Sequence, residues 1–300
     1  MVDIGTNSTR LLVAELRDGR VAELDRRTTV TRLGEGLEAS GRLSDGAIAR
    51  VSDALAAYRE AIDALGAARV VAVATSAMRD AANGPAFRDE IERRFGIDAR
   101  TISGDEEARL TFLGATAGRE AEAETLVIDI GGGSTEYVTG QPGSDPGFHV
   151  STRMGSVRHS ERHLHHDPPG EPELAALAQD ARSIVESEVP AGVRDRVGAG
   201  IAVAGTATSL AGIDQELDPY DPERVHGYRL SRASCKRLVA RLAELPLAQR
   251  RNLAGLHPDR APTIVAGAGI LLESMRVFDL DEIEVSENDI LHGAALASAR

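Results

Sequence analysis

Two short stretches of the chain carry the same small and acidic residues in the same order. Asp3-Ile-Gly-Thr-Asn-Ser-Thr-Arg10 and Asp129-Ile-Gly-Gly-Gly-Ser-Thr-Glu136 agree at five of eight positions. In each, an aspartate ends an apolar run, a glycine-containing turn follows, and a second run begins. Glycines let backbone N–H groups turn toward an anion, and the Ser and Thr hydroxyls add donors. The aspartate is an oxygen ligand of the kind that suits Mg2+, an ion that keeps several waters. One such turn alone reads as an ordinary hairpin. Two copies in different halves point to facing hairpins that grip a phosphate chain and its metal from both sides.

Two further stretches fit the same chemistry. Ala204-Gly-Thr-Ala-Thr-Ser209 follows an apolar run and opens a helical pattern, so its amides and helix dipole offer another anion seat. Ser103-Gly-Asp-Glu-Glu-Ala-Arg109 starts a helix with a capping serine and three acids. Taken alone, that is a favourable acidic first turn on the helix dipole. In a functional role, one of its glutamates is a general base that removes a proton from an attacking water. The chain contains neither a Walker lysine nor a GxGxxG loop.

The elements that must hold these residues follow from periodicity. Residues 1–17 read as strand, turn and strand, and 20–30 as a further alternating strand. Ser44 caps a helix whose apolar positions Ile48, Val51, Leu55, Tyr58, Ile62 and Leu65 recur at helical spacing. A short buried strand at 70–74, a helix at 85–95, a strand at 99–102 and a helix after Gly104 complete the first unit. The second unit has strands at 125–130, 136–139, 148–152, 200–204 and 282–285, helices from 172–188 onward, and a C-terminal helix from Asn288. This order predicts mixed α/β layers, and the repeated motif predicts two halves built on one plan. The acidic, alanine-rich stretch 120–124 is the expected boundary, giving domains 1–119 and 120–300. The segment 285–293 is expected to pack back near the domain interface.

Composition narrows the function classes. Hydrophobic residues at 42% and charged residues at 27% are ordinary for a globular protein. No apolar run approaches the ~18 residues of a membrane span, and no export signal opens the chain, so no membrane partner is expected. The single cysteine, Cys235, forms no internal disulfide and excludes thiolate-held metal, which makes a cytoplasmic location the expectation. A net charge of −13 argues against nucleic acid. It also requires that any polyanionic substrate meet gathered arginines and metal ions. Lys236 is the only lysine among 34 basic residues, a bias that a GC-rich genome accounts for. Aromatics at 3% leave few stacking platforms for a base and favour a phosphate chain over a nucleotide.

In order, the motifs are Asp3-Ile-Gly-Thr-Asn-Ser8, Ala74-Thr-Ser-Ala-Met-Arg-Asp-Ala-Ala-Asn83, Ser103-Gly-Asp-Glu-Glu-Ala-Arg109, Asp129-Ile-Gly-Gly-Gly-Ser-Thr-Glu136, Gly155-Ser-Val-Arg158 through Asp167-Pro-Pro169, and Gly205-Thr-Ala-Thr208. Across essentially the whole chain this set resembles the exopolyphosphatase/guanosine pentaphosphate phosphatase (Ppx/GppA) family. The resemblance implies an α/β fold of two actin-like (actin/hexokinase/Hsp70, RNase H-like) domains flanking a cleft. It also implies Mg2+, with Mn2+ as the alternative, and hydrolysis of terminal phosphoanhydrides. The substrate would be inorganic polyphosphate, with orthophosphate released, or guanosine pentaphosphate. A homodimer is a family expectation.

Carried over by position, Glu106 matches the catalytic glutamate, with Glu107 its less favoured neighbour. Asp129 and Glu136 match an acidic pair that positions metal and water, and Asp3 matches the first metal-side aspartate. Asn7, Ser8, Arg10 and Arg79 match phosphate-side residues. Gly131, Gly132, Gly133, Ser134, Gly205 and Thr206 match the phosphate loops. Relatives carry several residues before the first motif, so a short first strand and lower stability are expected here. The long members add a helical C-terminal domain that this chain does not match, which removes surface for gripping a long polymer. Rival readings are a sugar kinase, which shares the DxGT turn but lacks SGxEEAR, and a non-catalytic sensor of polyphosphate or an alarmone.

Four histidines fall within Arg158-His-Ser-Glu-Arg-His-Leu-His-His-Asp167, and helical spacing sets His159, His163 and His166 on one face. The cluster offers a metal-site reading, against which the resemblance makes this segment a plain structural helix closed by the Asp-Pro-Pro turn. Arg153 and Arg158 read as solvated or helix-end residues, with contact to a phosphate chain at the cleft wall as the alternative.

Overall fold

In the computed structural model, which describes residues 1–17, 19–120 and 123–298, each repeated motif is the turn of an antiparallel hairpin. The first joins β1 (Val2–Ile4) to β2 (Ser8–Arg17), and the second joins β6 (Thr125–Ile130) to β7 (Thr135–Gly140). With β3 (Arg20–Val30), β4 (Ala72–Ala74) and β5 (Ala99–Thr101), the first hairpin builds a sheet of order β3-β2-β1-β4-β5. With β8 (Phe148–Thr152), β9 (Ala199–Val203), β10 (Arg229–Ser231) and β11 (Glu282–Val285), the second builds a sheet of order β10-β11-β9-β6-β7-β8. Read outward from each hairpin, β3-β2-β1-β4-β5 and β8-β7-β6-β9-β11 are the same arrangement, antiparallel on one side and parallel on the other. The sequence echo is thus a structural duplication, with β10 added at one edge. The interdomain boundary expected at 120–124 includes Ala121 and Glu122, which lie outside the described residues.

The longer helices are α1 (Asp45–Ala64), α2 (Gly84–Phe95), α3 (Gly104–Thr116), α4 (Ser156–His163), α5 (Glu171–Glu188), α6 (Ala204–Asp214), α7 (Arg232–Glu244), α8 (Ile264–Val277) and α9 (Ile290–Ala297). α1 starts where expected, with the Ser44 hydroxyl accepting from the Ala47 N–H at 3.2 Å, and buries Val51, Leu55, Tyr58 and Ile62 on the first sheet. α9 begins two residues later than expected because Asp289 is its cap, accepting from the Leu291 N–H at 3.0 Å. No helix among the described residues is long and apolar enough to cross a membrane.

Helices α3 and α9 tie the two halves together. Ala108, Phe112 and Ala115 of α3 pack on Val127, Val138, Ile201 and Val203 of the second sheet. Ile290 of α9 packs with Val73 and Ile102 of the first half, and Leu110 of α3 joins that cluster. The two helices cross at Gly114 and Gly293. A Cβ on Gly293 would lie 1.7 Å from the Leu110 carbonyl oxygen, and one on Gly114 would lie 2.0 Å from the Asp289 oxygen. Both obstacles are backbone, so neither can swing aside. Gly293→Ala is expected to destabilise the fold by ~1–3 kcal/mol, the usual cost of overpacking. Urea unfolding reads it, and an unchanged midpoint would contradict the crossing.

Candidate active site

The two hairpin turns meet face to face. A Cβ on Gly132 would lie 3.0 Å from the Asn7 backbone nitrogen, so a larger residue would push the two turns apart. Behind the second turn, the start of α4 donates Ser156 N–H to the Gly131 carbonyl and Val157 N–H to that of Gly132, each at 2.9 Å. Arg158 Nε donates to the Gly133 carbonyl at 2.9 Å, and Nη2 of the same side chain pairs with Asp80 at 2.9 Å. Arg158 is therefore a buried strut between the halves rather than a solvated helix end. A cavity of about 80 Å3 lies between the turns, and Asp3 and Asp129 both border it. Asn7, Ser8 and Arg10 line one wall; Gly131, Gly132 and Ser134 line the opposite wall. Gly133 and Arg79 instead border an adjoining pocket that also reaches Ser134.

The duplicated register makes the electrostatic difference between the halves plain. Asp3 stands opposite Arg10, and Asp129 stands opposite Glu136. Arg10 donates to Asp3 Oδ2 from Nε at 2.9 Å and from Nη2 at 2.7 Å, and its Nη1 pairs with Asp289. Burial alone would lower the Arg10 pKa, but Asp289, Asp3 and Asp129 together raise it. Burial raises Asp3 while Arg10 opposes the rise. Burial would also raise Asp289, yet Arg10, Arg26 and His292 hold it below the ordinary carboxylate range. The second hairpin lacks such a cation. Burial and the Glu136 charge push Asp129 up to about 8. Glu136 is raised by burial, although the Ser151 hydroxyl donates to it at 2.6 Å.

The third acid of this group on the cavity is Glu107, the neighbour of the Glu106 expected there. Adjacent residues on a helix point about 100° apart. Glu106 turns outward from α3, half-exposed, and pairs with Arg100 at 3.0 Å. Glu107 is buried and borders the cavity. Burial, then Glu136 and Asp129, raise its pKa well above the usual value, with Arg79 offsetting part of the rise. The Arg79 guanidinium lies 3.4 Å from Glu107 and donates to the Ile102 carbonyl at 2.9 Å, which leaves it beside the acids at the cavity edge.

The strand-to-helix turn before α6 supplies a further wall through Gly205 and Thr206. Ala204 there takes φ +63, a conformation that costs a non-glycine residue free energy and clusters at functional sites. Arg260, which sequence reasoning missed, completes this wall. Its Nη1 donates to the Gly205 carbonyl at 2.9 Å and to Ser209 Oγ at 3.1 Å, and burial lowers its pKa. It carries no carboxylate ion pair among the described residues, unlike Arg10. No sequence signal marked it, because it stands in an unremarkable loop far from the other motifs. Asp289 was missed as a site residue too, although it lies in the 285–293 segment expected near the domain interface.

The residues suit a hard divalent cation. Asp3 Oδ1 and Asn7 Oδ1 are buried without a hydrogen-bond partner. Like-charged Glu107, Asp129 and Glu136 crowd one another with little compensation. Oxygen donors of this kind are what Mg2+ takes, partly through waters.

Two duplicated α/β units with acids and phosphate-type loops around one cavity fit a phosphatase-class hydrolase. The chain belongs to the Ppx/GppA phosphatase family, whose model matches residues 12–299. It is 37% identical over 312 residues to "Exopolyphosphatase 2" of Mycobacterium tuberculosis, covering 99% of this chain and 97% of that one. A crystal structure described as an exopolyphosphatase-like protein has 33% identity and a TM-score of 0.93, covering 100% of this chain and 98% of that one. The Aquifex aeolicus Ppx/GppA family member has 30% identity and a TM-score of 0.83, with 99% and 96% covered.

Proposed function

We propose that the protein is an exopolyphosphatase that hydrolyses the terminal phosphoanhydride of inorganic polyphosphate and releases orthophosphate with Mg2+ bound. The observation that carries this reading is the facing pair of hairpins, with Asp3 and Asp129 on one cavity beside the raised carboxyl of Glu107. Asp129 and Asp3 would hold the metal, with Glu136 steadying Asp129 or a water between them. A metal held there would supply neutralisation of phosphate charge. The amides of residues 6–8 and 132–134 orient the terminal phosphate, those of Gly5 and Gly131 being held by the Ser8 and Ser134 carbonyls. Arg260 and the remaining N–H groups of Arg10 hold its oxygens. Glu107 takes the proton of a water as that water's oxygen bonds to the terminal phosphorus. The bridging P–O bond breaks, and the chain leaves one phosphate shorter. In phosphoryl transfer such positioning and charge neutralisation supply most of the acceleration.

One observation favours guanosine pentaphosphate as a second reading. A cavity of about 680 Å3 opens beside Arg260 and Gly205, with Leu217, Tyr220 and Leu256 on its walls and the acids Asp218 and Glu287 at its edge. That space suits a nucleoside attached to the phosphates. Phosphate release measured on short polyphosphate, long polyphosphate and guanosine pentaphosphate separates the two. Faster release from polyphosphate supports the first reading, and release from the nucleotide alone overturns it. Release without an acceptor sugar dismisses a kinase, and tight binding without release would identify a sensor. Arg260→Met is expected to raise KM for the preferred substrate by ~10-fold or more, the loss of one charge-assisted contact of about 1.5–3 kcal/mol. Steady-state kinetics checks it, and an unchanged KM would remove Arg260 from the binding wall.

A further inference from the structure

Helix α4 ends at His163, so His166 leaves the face it was expected to share with His159 and His163 and pairs with Glu173 instead. Its place is taken by Asp180 from α5. Asp180 Oδ2 lies 2.9 Å from His163 Nε2 and 3.4 Å from His159 Nε2. One donor atom from each of the three residues lies within 4.8 Å of the others. His159 is fully buried, and neither of its ring nitrogens has a hydrogen-bond partner. Burying an imidazole that way is unfavourable unless something else satisfies it.

We propose that His159, His163 and Asp180 bind one zinc-class divalent cation at a site separate from the phosphate cleft. Two imidazoles and one carboxylate, with a water completing the tetrahedron, form a common zinc donor set. Ligands 2.0–2.2 Å from such an ion stand roughly 3.3 Å from one another, close to the spacings at Asp180. The nitrogen donors select against Mg2+, which prefers oxygen throughout. His163 and Asp180 are partly exposed, which gives an ion a way in. Arg162 lies 3.5 Å from Asp180 but also pairs with Glu38 at 3.0 Å, so it has a second partner when a cation takes the carboxylate. The ion would clip α4 to α5, and the start of α4 is what props the carbonyls of Gly131 and Gly132. The site would thus stiffen one wall of the cleft without touching substrate.

The test uses untagged full-length protein dialysed against Zn2+ in a large excess of Mg2+, with metal content read by mass spectrometry. Wild type is expected to retain one more zinc per chain than His163→Ala or Asp180→Asn, and only wild type should melt several degrees higher with zinc. Both variants change partly exposed side chains, and matching far-UV spectra would show that they fold. Equal zinc content in wild type and both variants, or no zinc retained by wild type, overturns the proposal.

Discussion

Glu107→Gln is expected to lower phosphate release by about 10²–10⁴-fold with substrate binding little changed, while Glu106→Gln leaves turnover within a few-fold of wild type. The two residues are adjacent and chemically identical, so the contrast isolates position. Glu107 is buried on the cavity with Asp129 and Glu136 as neighbours, and their charges raise its affinity for a proton, as a general base requires. Glu106 is committed to Arg100 on the surface. The glutamine keeps the shape and some hydrogen bonding of Glu107 but accepts no proton. Single-turnover release with saturating Mg2+ reads the effect. A large loss in the Glu106 variant and none in the Glu107 variant would reverse the assignment.

Arg10→Met is expected to cost about 3–5 kcal/mol of stability, or a Tm lower by on the order of 10 °C. Asp3 and Asp289 are both buried, and Arg10 is the cation between them. Removing it leaves two carboxylates with reduced compensation in a desolvated site. The pair also joins the halves, because Arg10 lies on β2 and Asp289 caps α9. A melt within 2 °C of wild type would show that the pair contributes little.

The repeated motif made the duplicated sheets legible, because each copy states the same strand–turn–strand requirement. The α1 cap and stripe were legible for the same reason: local chemistry and local geometry agree. The choice between Glu106 and Glu107 was not, because it depends on how α3 is rotated between the two sheets. A signal was nonetheless present. Glu107, Thr111 and Gly114 form a polar and small stripe at i, i+4 and i+7, and Thr111 donates to Asp129 at 3.4 Å while Gly114 meets α9. Glu106 shares its stripe with Leu110, on another side of the helix. Arg260 reaches the site only through tertiary folding, and no local pattern announces it; Asp289 lies in the segment expected at the interface, but its pairing with Arg10 had no local sign. His159 and His163 were legible as a helical pair, but Asp180, which converges on them, was not.

The most direct test is a crystal of the Glu107→Gln variant soaked with Mn2+ and a short polyphosphate. Anomalous signal and phosphate density are expected together in the cavity between Asp3 and Asp129, with both hairpin turns touching one phosphate chain. Manganese and phosphate in separate pockets, with only one turn in contact, would contradict the account.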